Sequence, residues 1–291
     1  IKNGASQLTL GGSNSYTGGT QINAGSVVGN SSSLQGAILN NAALTFEQNA
    51  NGSYTGNLTG SGTLTKNGTG ELLLTGTNGL TGNTQVNSGS LLVNGRLDSA
   101  NVVVAGSANL GGSGTLAGAV QVQDGASLSA GAGSTALSVG SLALSSGSAL
   151  NLDLGAPTAS TTAVKVAGNL TLDGTLNITD AGGFGTGVYQ LFSYGGTLTN
   201  NGLVFGAIPG SVALADLTLQ TAIANQINLV VGGDDGSLLF WNGSKTSADG
   251  TITGGSGIWG SGTNWTNAAG TSSDTWADQF ARFGGQAGTA T

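Results

Sequence analysis

The stretch "KNGTGELLLTGTNGLTGNTQVNSGS" at residues 66–90 decides the fold, because residues 2–26, "KNGASQLTLGGSNSYTGGTQINAGS", repeat it. With residues 1–28 laid on 65–92, an offset of 64, 14 of 28 positions are identical without a gap. The matches keep apolar and turn positions in register: Leu8/Leu72, Leu10/Leu74, Gly12/Gly76, Asn14/Asn78 and Gly25/Gly89. Self-similarity at a fixed period marks a repeat architecture. Within one copy, "QLTLGG" alternates apolar and polar residues, and "TQINAGSVVG" sets Ile22 and Val27 either side of an Asn-Ala-Gly turn. Short strands split by Gly and Asn, with no sustained 3.6-residue period, predict strands rather than helices. An all-β parallel β-helix (a solenoid) follows, because one coil cannot bury its own apolar face and stacked coils can. Taking 64 residues as three coils predicts coils of about 21 residues, and about 13 or 14 of them over the 291-residue chain.

Composition removes several classes. Glycine is abundant, at 55 residues, but 38% of residues are hydrophobic and only 7% charged, the reverse of a disordered chain. The net charge is −7 with six scattered Lys and Arg, so no basic patch suits nucleic acid. No apolar run has the length of a membrane helix. Cysteine is absent, which excludes disulfides and thiolate metal sites, and histidine is absent, which excludes a Ser-His-Asp triad and imidazole metal sites.

The residues also carry a resemblance. "GSGTLTKNGTGELLLTGTNGLTGNTQVNSGSLLV" (residues 60–93) looks like the passenger-associated repeat of autotransporters, and residues 1–28 match it with Tyr16 at the aromatic position that Leu80 takes in the second copy. Residues 110–131 and 166–203 also resemble autotransporter passengers. The resemblance implies a right-handed, single-stranded parallel β-helix exported across the outer membrane by type V secretion. It implies a bacterial cell-surface or extracellular location. It further implies a non-catalytic adhesin or adhesin stalk, attaching to a host cell surface or matrix component, or to other passengers in aggregates and biofilm. Cofactors are expected to be none. Membrane anchoring is expected only through a C-terminal β-barrel outside this chain, and no signal peptide opens it. The lack of cysteine fits export, since periplasmic disulfides would hinder passage.

Three segments are expected: residues 1–105 with both repeat copies, 106–232 as a Gly/Ala/Leu-rich continuation, and 233–291 as the start of a further module. Asp173-Gly174, between alternating stretches, reads either as a local β-hairpin or as a β-helix corner. Residues 214–231 read as strand with room for one short helical turn.

All four tryptophans, Trp241, Trp259, Trp265 and Trp276, fall in the last segment. Large amphipathic rings favour binding surfaces, and sugar rings stack on them, so these four are the candidate recognition surface. The competing reading is that they plug a widened coil. Phe184, Tyr189, Phe192 and Tyr194 read as core. For an enzyme acting on polysaccharide, Asp153, Asp173 and Asp180 would need to converge across coils, with paired carboxylates about 5–9 Å apart; isolated Asp residues usually make turns. Asp234-Asp235 reads as a solvated loop, with a weak cation site as the alternative. A spacer or folding segment of a larger passenger is the remaining alternative. An ice-binding solenoid ranks last, since the threonines follow no strict period.

Overall fold

The computed structural model describes residues 1–131, 135–157, 162–232, 238–259, 262–276 and 280–290. The chain divides into two compact units: residues 1–153, 163–178 and 194–206 in the first, and 154–162, 179–193 and 207–291 in the second.

The first unit is a parallel β-solenoid with three faces. The first face is traced by the register column Leu8, Val27, Leu44, Leu64, Thr84, Val102, Val120, Leu142, Leu170 and Leu198, one residue from each of ten parallel strands. The second face starts at Thr20–Ile22 and reaches Val164–Val166. The third is an eight-stranded sheet from Gly52–Tyr54 to Val204–Phe205. Strands such as Ser26–Gly29, Glu71–Leu74, Ser90–Val93 and Asn101–Val104 alternate half-buried and buried residues, which is the two-residue period of the sequence made physical. The inward Leu and Val residues stack into a continuous core, each worth about 1.5–3 kcal/mol when fully buried.

The repeat does not stack on itself. Along the column from Val27 through Leu44 and Leu64 to Thr84, the coils take 17, 20 and 20 residues. Three coils therefore span 57 residues there, and an offset of 64 carries the chain one face further. Leu8 and Val27 lie on the first face, whereas their counterparts Leu72 and Leu91 lie on the third. Ile22 lies on the second face and its counterpart Val86 on the first. The expected uniform coil of about 21 residues is corrected accordingly: between Val120, Leu142, Leu170 and Leu198 the steps widen to 22, 28 and 28. The step from Leu170 to Leu198 takes in the strand Gly187–Tyr194, which pairs antiparallel with Gln226–Val231. The expected 13 or 14 coils are also too many, because wider coils and an antiparallel second unit use up the chain.

Corners need backbone that side chains would obstruct. Gly118 lies at the bend of Thr115–Val122, a strand that serves two faces, and a Cβ there would come within 2.1 Å of the Ser99 carbonyl oxygen. At Asp173-Gly174 the flanking strands each pair in parallel, Leu170–Leu172 with Leu198–Asn200 and Thr175–Asp180 with Val204–Phe205. The dipeptide is therefore a β-helix corner and not a hairpin. Gly174 there has φ +84.

A charged residue sits in the core. Lys66 follows Phe46 and precedes Val86 in an inward column and is fully buried. Its ammonium donates to the carbonyl oxygens of Asn67 (2.8 Å), Gly68 (2.8 Å) and Ser88 (3.0 Å). Three donors meet three acceptors on two successive corners, which ties one coil to the next. Burial lowers the Lys66 pKa, and Glu47 opposes that shift. The first copy repeats the device: Lys2 donates to Gly4 and to Ala24, the positions equivalent to Gly68 and Ser88. Beside each clamp an asparagine pair spans the same corners, Asn23 donating to Asn3 at 2.7 Å and Asn87 to Asn67 at 2.9 Å.

The second unit is built differently. Leu217–Gln220 and Gln226–Val231 form an antiparallel hairpin, and Gln226–Val231 also pairs antiparallel with Gly187–Tyr194. One 3-10 turn, Leu214–Asp216, precedes the hairpin. Leu238–Trp241 pairs antiparallel with Trp265–Thr266 and parallel with Phe280–Arg282. Val188, Ile223, Val230, Phe240, Ile252 and Ala268 make one core cluster. Phe184, Tyr189 and Phe192 are buried as expected, and Tyr194 is half-buried.

Candidate functional site: an aromatic cluster beside a groove

The antiparallel pairing of Trp241 with Trp265 sets two indoles side by side, centroids 5.1 Å apart and edge to face. Trp241 is 2% and Trp265 1% exposed, so these two are interior residues and not contact surface. The cause is their place on paired strands packed over Leu239. Trp241 donates its indole N–H to the Gly255 carbonyl at 2.9 Å, while the buried Trp265 Nε1 has no hydrogen-bond partner. The other two expected residues lie outward. Trp259 is 39% exposed and Trp276 half-buried, at 5.0 and 4.8 Å from the Trp265 ring. Sequence reasoning missed Phe283, which is 50% exposed and lies over Trp259 at 5.3 Å with an interplanar angle of 29°. In the sequence Phe283 carries no signal beyond the turn residues that follow it in "FGGQ".

A groove of about 640 Å³ opens in the same unit, lined by residues that include Thr221, Asn225, Gln226, Thr251, Thr253 and Gln286. Gly285 and Gln286 also line a recess of about 280 Å³ that carries Trp241 and Phe283. Asn225, in the hairpin turn, has φ 63, the one positive φ of a residue other than glycine among the described residues. Close to Thr251, Lys245 pairs with Asp249 and also donates to the Thr251 carbonyl and hydroxyl. The hydrogen bond from Lys245 holds the Asp249 carboxyl down at about 2.

Two of the three carboxylates considered for catalysis serve turns. Asp173 accepts from its own neighbour Gly174 at 2.8 Å and from Asn201 at 3.3 Å. Asp180 accepts from the backbone N–H groups of Gly182 and Phe184, which lower its pKa. Asp153, in the strand Ala149–Leu154, is the single carboxylate among the described residues that line a recess of about 370 Å³. No cluster of three or more His, Cys, Asp or Glu suited to a metal ion occurs among the described residues. Asp234 and Asp235 lie outside the described residues.

Stacked coils that carry a twice-written corner clamp define the class: a parallel β-solenoid built on a sequence repeat. The passenger-associated-transport-repeat family matches residues 1–28 and 64–93, the two copies read from the sequence. Over 148 residues, 48% of its length, the chain is 41% identical to the adhesin BmaC autotransporter of Brucella suis biovar 1 (strain 1330). That stretch is 4% of the relative, so this chain is similar to a small part of a very long protein.

Proposed function

We propose that this chain is a non-catalytic adhesive segment of an autotransporter passenger, attaching bacteria to host-cell or matrix surfaces. The observation that carries the reading is the 148-residue similarity to a protein named as an adhesin. In this reading the solenoid is a stiff stalk, the outward part of the aromatic cluster, Trp259 and Trp276 with Phe283, is the contact surface, and Trp241 and Trp265 are its floor. The segment boundaries near 105 and 232, and a further module beginning at 233, belong to the same proposal.

A second reading, self-association, has its own support. The outward column of the first face runs Thr9, Val28, Thr45, Thr65, Gln85, Val103, Gln121, Ala143, Thr171 and Thr199 without one charge. Two such faces meet no charge repulsion along that column, and each hydrogen bond between them nets about 0.5–1.5 kcal/mol.

Fluorescent beads coated with the purified chain separate the readings. Attachment to epithelial cells or matrix proteins is the expected result. Clumping of beads with each other favours self-association. Beads that do neither make the chain a spacer, and release of reducing ends from polysaccharide by the chain would revive the enzyme alternative.

A further inference from the structure

We infer that the groove beside the aromatic cluster is a binding site for a neutral oligosaccharide. The inference deepens the adhesive reading and rests on it for the ligand's setting, but its evidence is the lining itself. The groove and the adjoining recess offer about 640 and 280 Å³ and share Gly285 and Gln286 in their linings. That is the size range of small-ligand sites. Amides and hydroxyls, Gln226, Gln286, Thr251 and Thr253 among them, share the lining with the apolar Ala222, Ala224 and Ile252. Amides and hydroxyls each donate and accept, which is the pattern sugar hydroxyls require. Among the described residues, no charged side chain lines either space. Lys245 and Asp249, close by, pair with each other.

The recess supplies the apolar half of sugar recognition. Phe283 lines it half-exposed, and the partly exposed Trp259 lies nearly parallel to that ring. Aromatic faces of this kind present a flat apolar ledge to the C–H face of a pyranose. The floor between ledge and amides is bare backbone. Gly285 has φ +79, and a Cβ there would come within 2.4 Å of the Thr253 carbonyl oxygen. Glycine is thus required there by its positive φ and by close packing against the Thr253–Gly254 backbone. Asn225 lies at the hairpin turn beside the groove, with the left-handed φ of 63 that asparagine adopts more readily than most residues. A net charge of −7 repels anionic chains such as sulfated or sialylated glycans. The chemistry therefore selects neutral sugars.

The test is a titration of the whole chain followed by tryptophan fluorescence and calorimetry. Neutral probes are cellohexaose, a mannopentaose and lacto-N-neotetraose; anionic probes are sialyllactose and a heparin hexasaccharide. At least one neutral probe should bind saturably and shift the tryptophan emission. Phe283→Ala and Gln286→Ala should each weaken that binding about tenfold, the loss of one stacked ring or one hydrogen-bonding amide. Both variants should keep the wild-type circular dichroism, and Gln7→Ala on the solenoid should bind as the wild type does. The inference is overturned if no neutral probe binds at millimolar concentration, if only the anionic probes bind, or if folded Phe283→Ala and Gln286→Ala bind unchanged. Wild-type beads that bind sugar but ignore cells would sink the adhesive reading and leave the groove standing. Beads that hold cells while no neutral sugar binds would do the opposite.

Discussion

The two copies of the repeat share half their residues and use them differently. Leu72 is completely buried between Gly52 and Leu91, while its counterpart Leu8 pairs with Val27 on one side and is 41% exposed. Asn78 and Lys66 are fully buried, and their counterparts Asn14 and Lys2 are half-buried. Leu80 is buried, whereas Tyr16 at the same place reaches a polar partner, its hydroxyl accepting from the Gln35 N–H at 3.1 Å. In a solenoid, a residue's worth is set by the coils that flank it as much as by its own identity.

The largest expected break in the symmetry is at the leucines. Leu72→Ala should cost about 2–5 kcal/mol, and Leu8→Ala under about 1 kcal/mol. Denaturant unfolding of the two variants checks this, and equal losses would mean that flanking coils do not set the energy. Next come the glycines. Gly89 has φ +64, and a Cβ would lie 2.4 Å from the Gly70 carbonyl oxygen, whereas Gly12 has φ +69 with nothing within 4 Å. Gly89→Ala should lose roughly 2–4 kcal/mol from conformation and clash together, and Gly12→Ala about 1–2 kcal/mol from conformation alone. Thermal melts that rank them the other way would refute the corner geometry.

The lysine clamps should differ less. Lys66→Met strips the donor from three carbonyls and should cost about 1–3 kcal/mol, with Lys2→Met nearer 0.5 kcal/mol. Hydrogen exchange at the corner amides around Gly68 and Ser88 would show whether the loss is local to the clamp. The smallest effect lies outside the repeats and serves as their control. Asp249 titrates lower in the folded chain than the unfolded value near 3.9, at about 2. Its contribution is therefore complete above pH of about 4 and is lost as pH falls toward about 2. Asp249→Asn should flatten that part of the acid profile, a small change because the group is fully exposed and screened by salt. An identical profile for wild type and variant would remove the Lys245 pairing from the account.

The solenoid was legible because its signals are local. Alternation in "ELLL" and "SLLV", and Gly or Asn between them, fix strands and corners without knowledge of neighbours. Coil length was not legible, because it depends on which residue pairs with which across coils, and a coil here takes 17 residues or 28. Asp173-Gly174 could be written as hairpin or corner for the same reason. The antiparallel hairpin at residues 217–231 escaped because "TAIAN" lacks the usual Asn-Gly signal and turns instead on Asn225 at φ 63. Of the candidate site, the sequence pointed to four tryptophans. It could not sort them, since burial of Trp241 and Trp265 follows from strand pairing. Nor could it find Phe283 and Gln286, which join the groove only through a distant turn.

The sequence alone determined the all-β class, the stacked repeat, the corner residues and the absence of imidazole and thiol chemistry, all of which are written in residue types and short spacings. Only the tertiary structure decided that the second copy lies one face out of phase with the first, that Lys66 is caged by carbonyls, and which aromatics meet solvent. Those properties belong to contacts between residues far apart in the chain, and such contacts are set by how coils stack rather than by what any one coil spells.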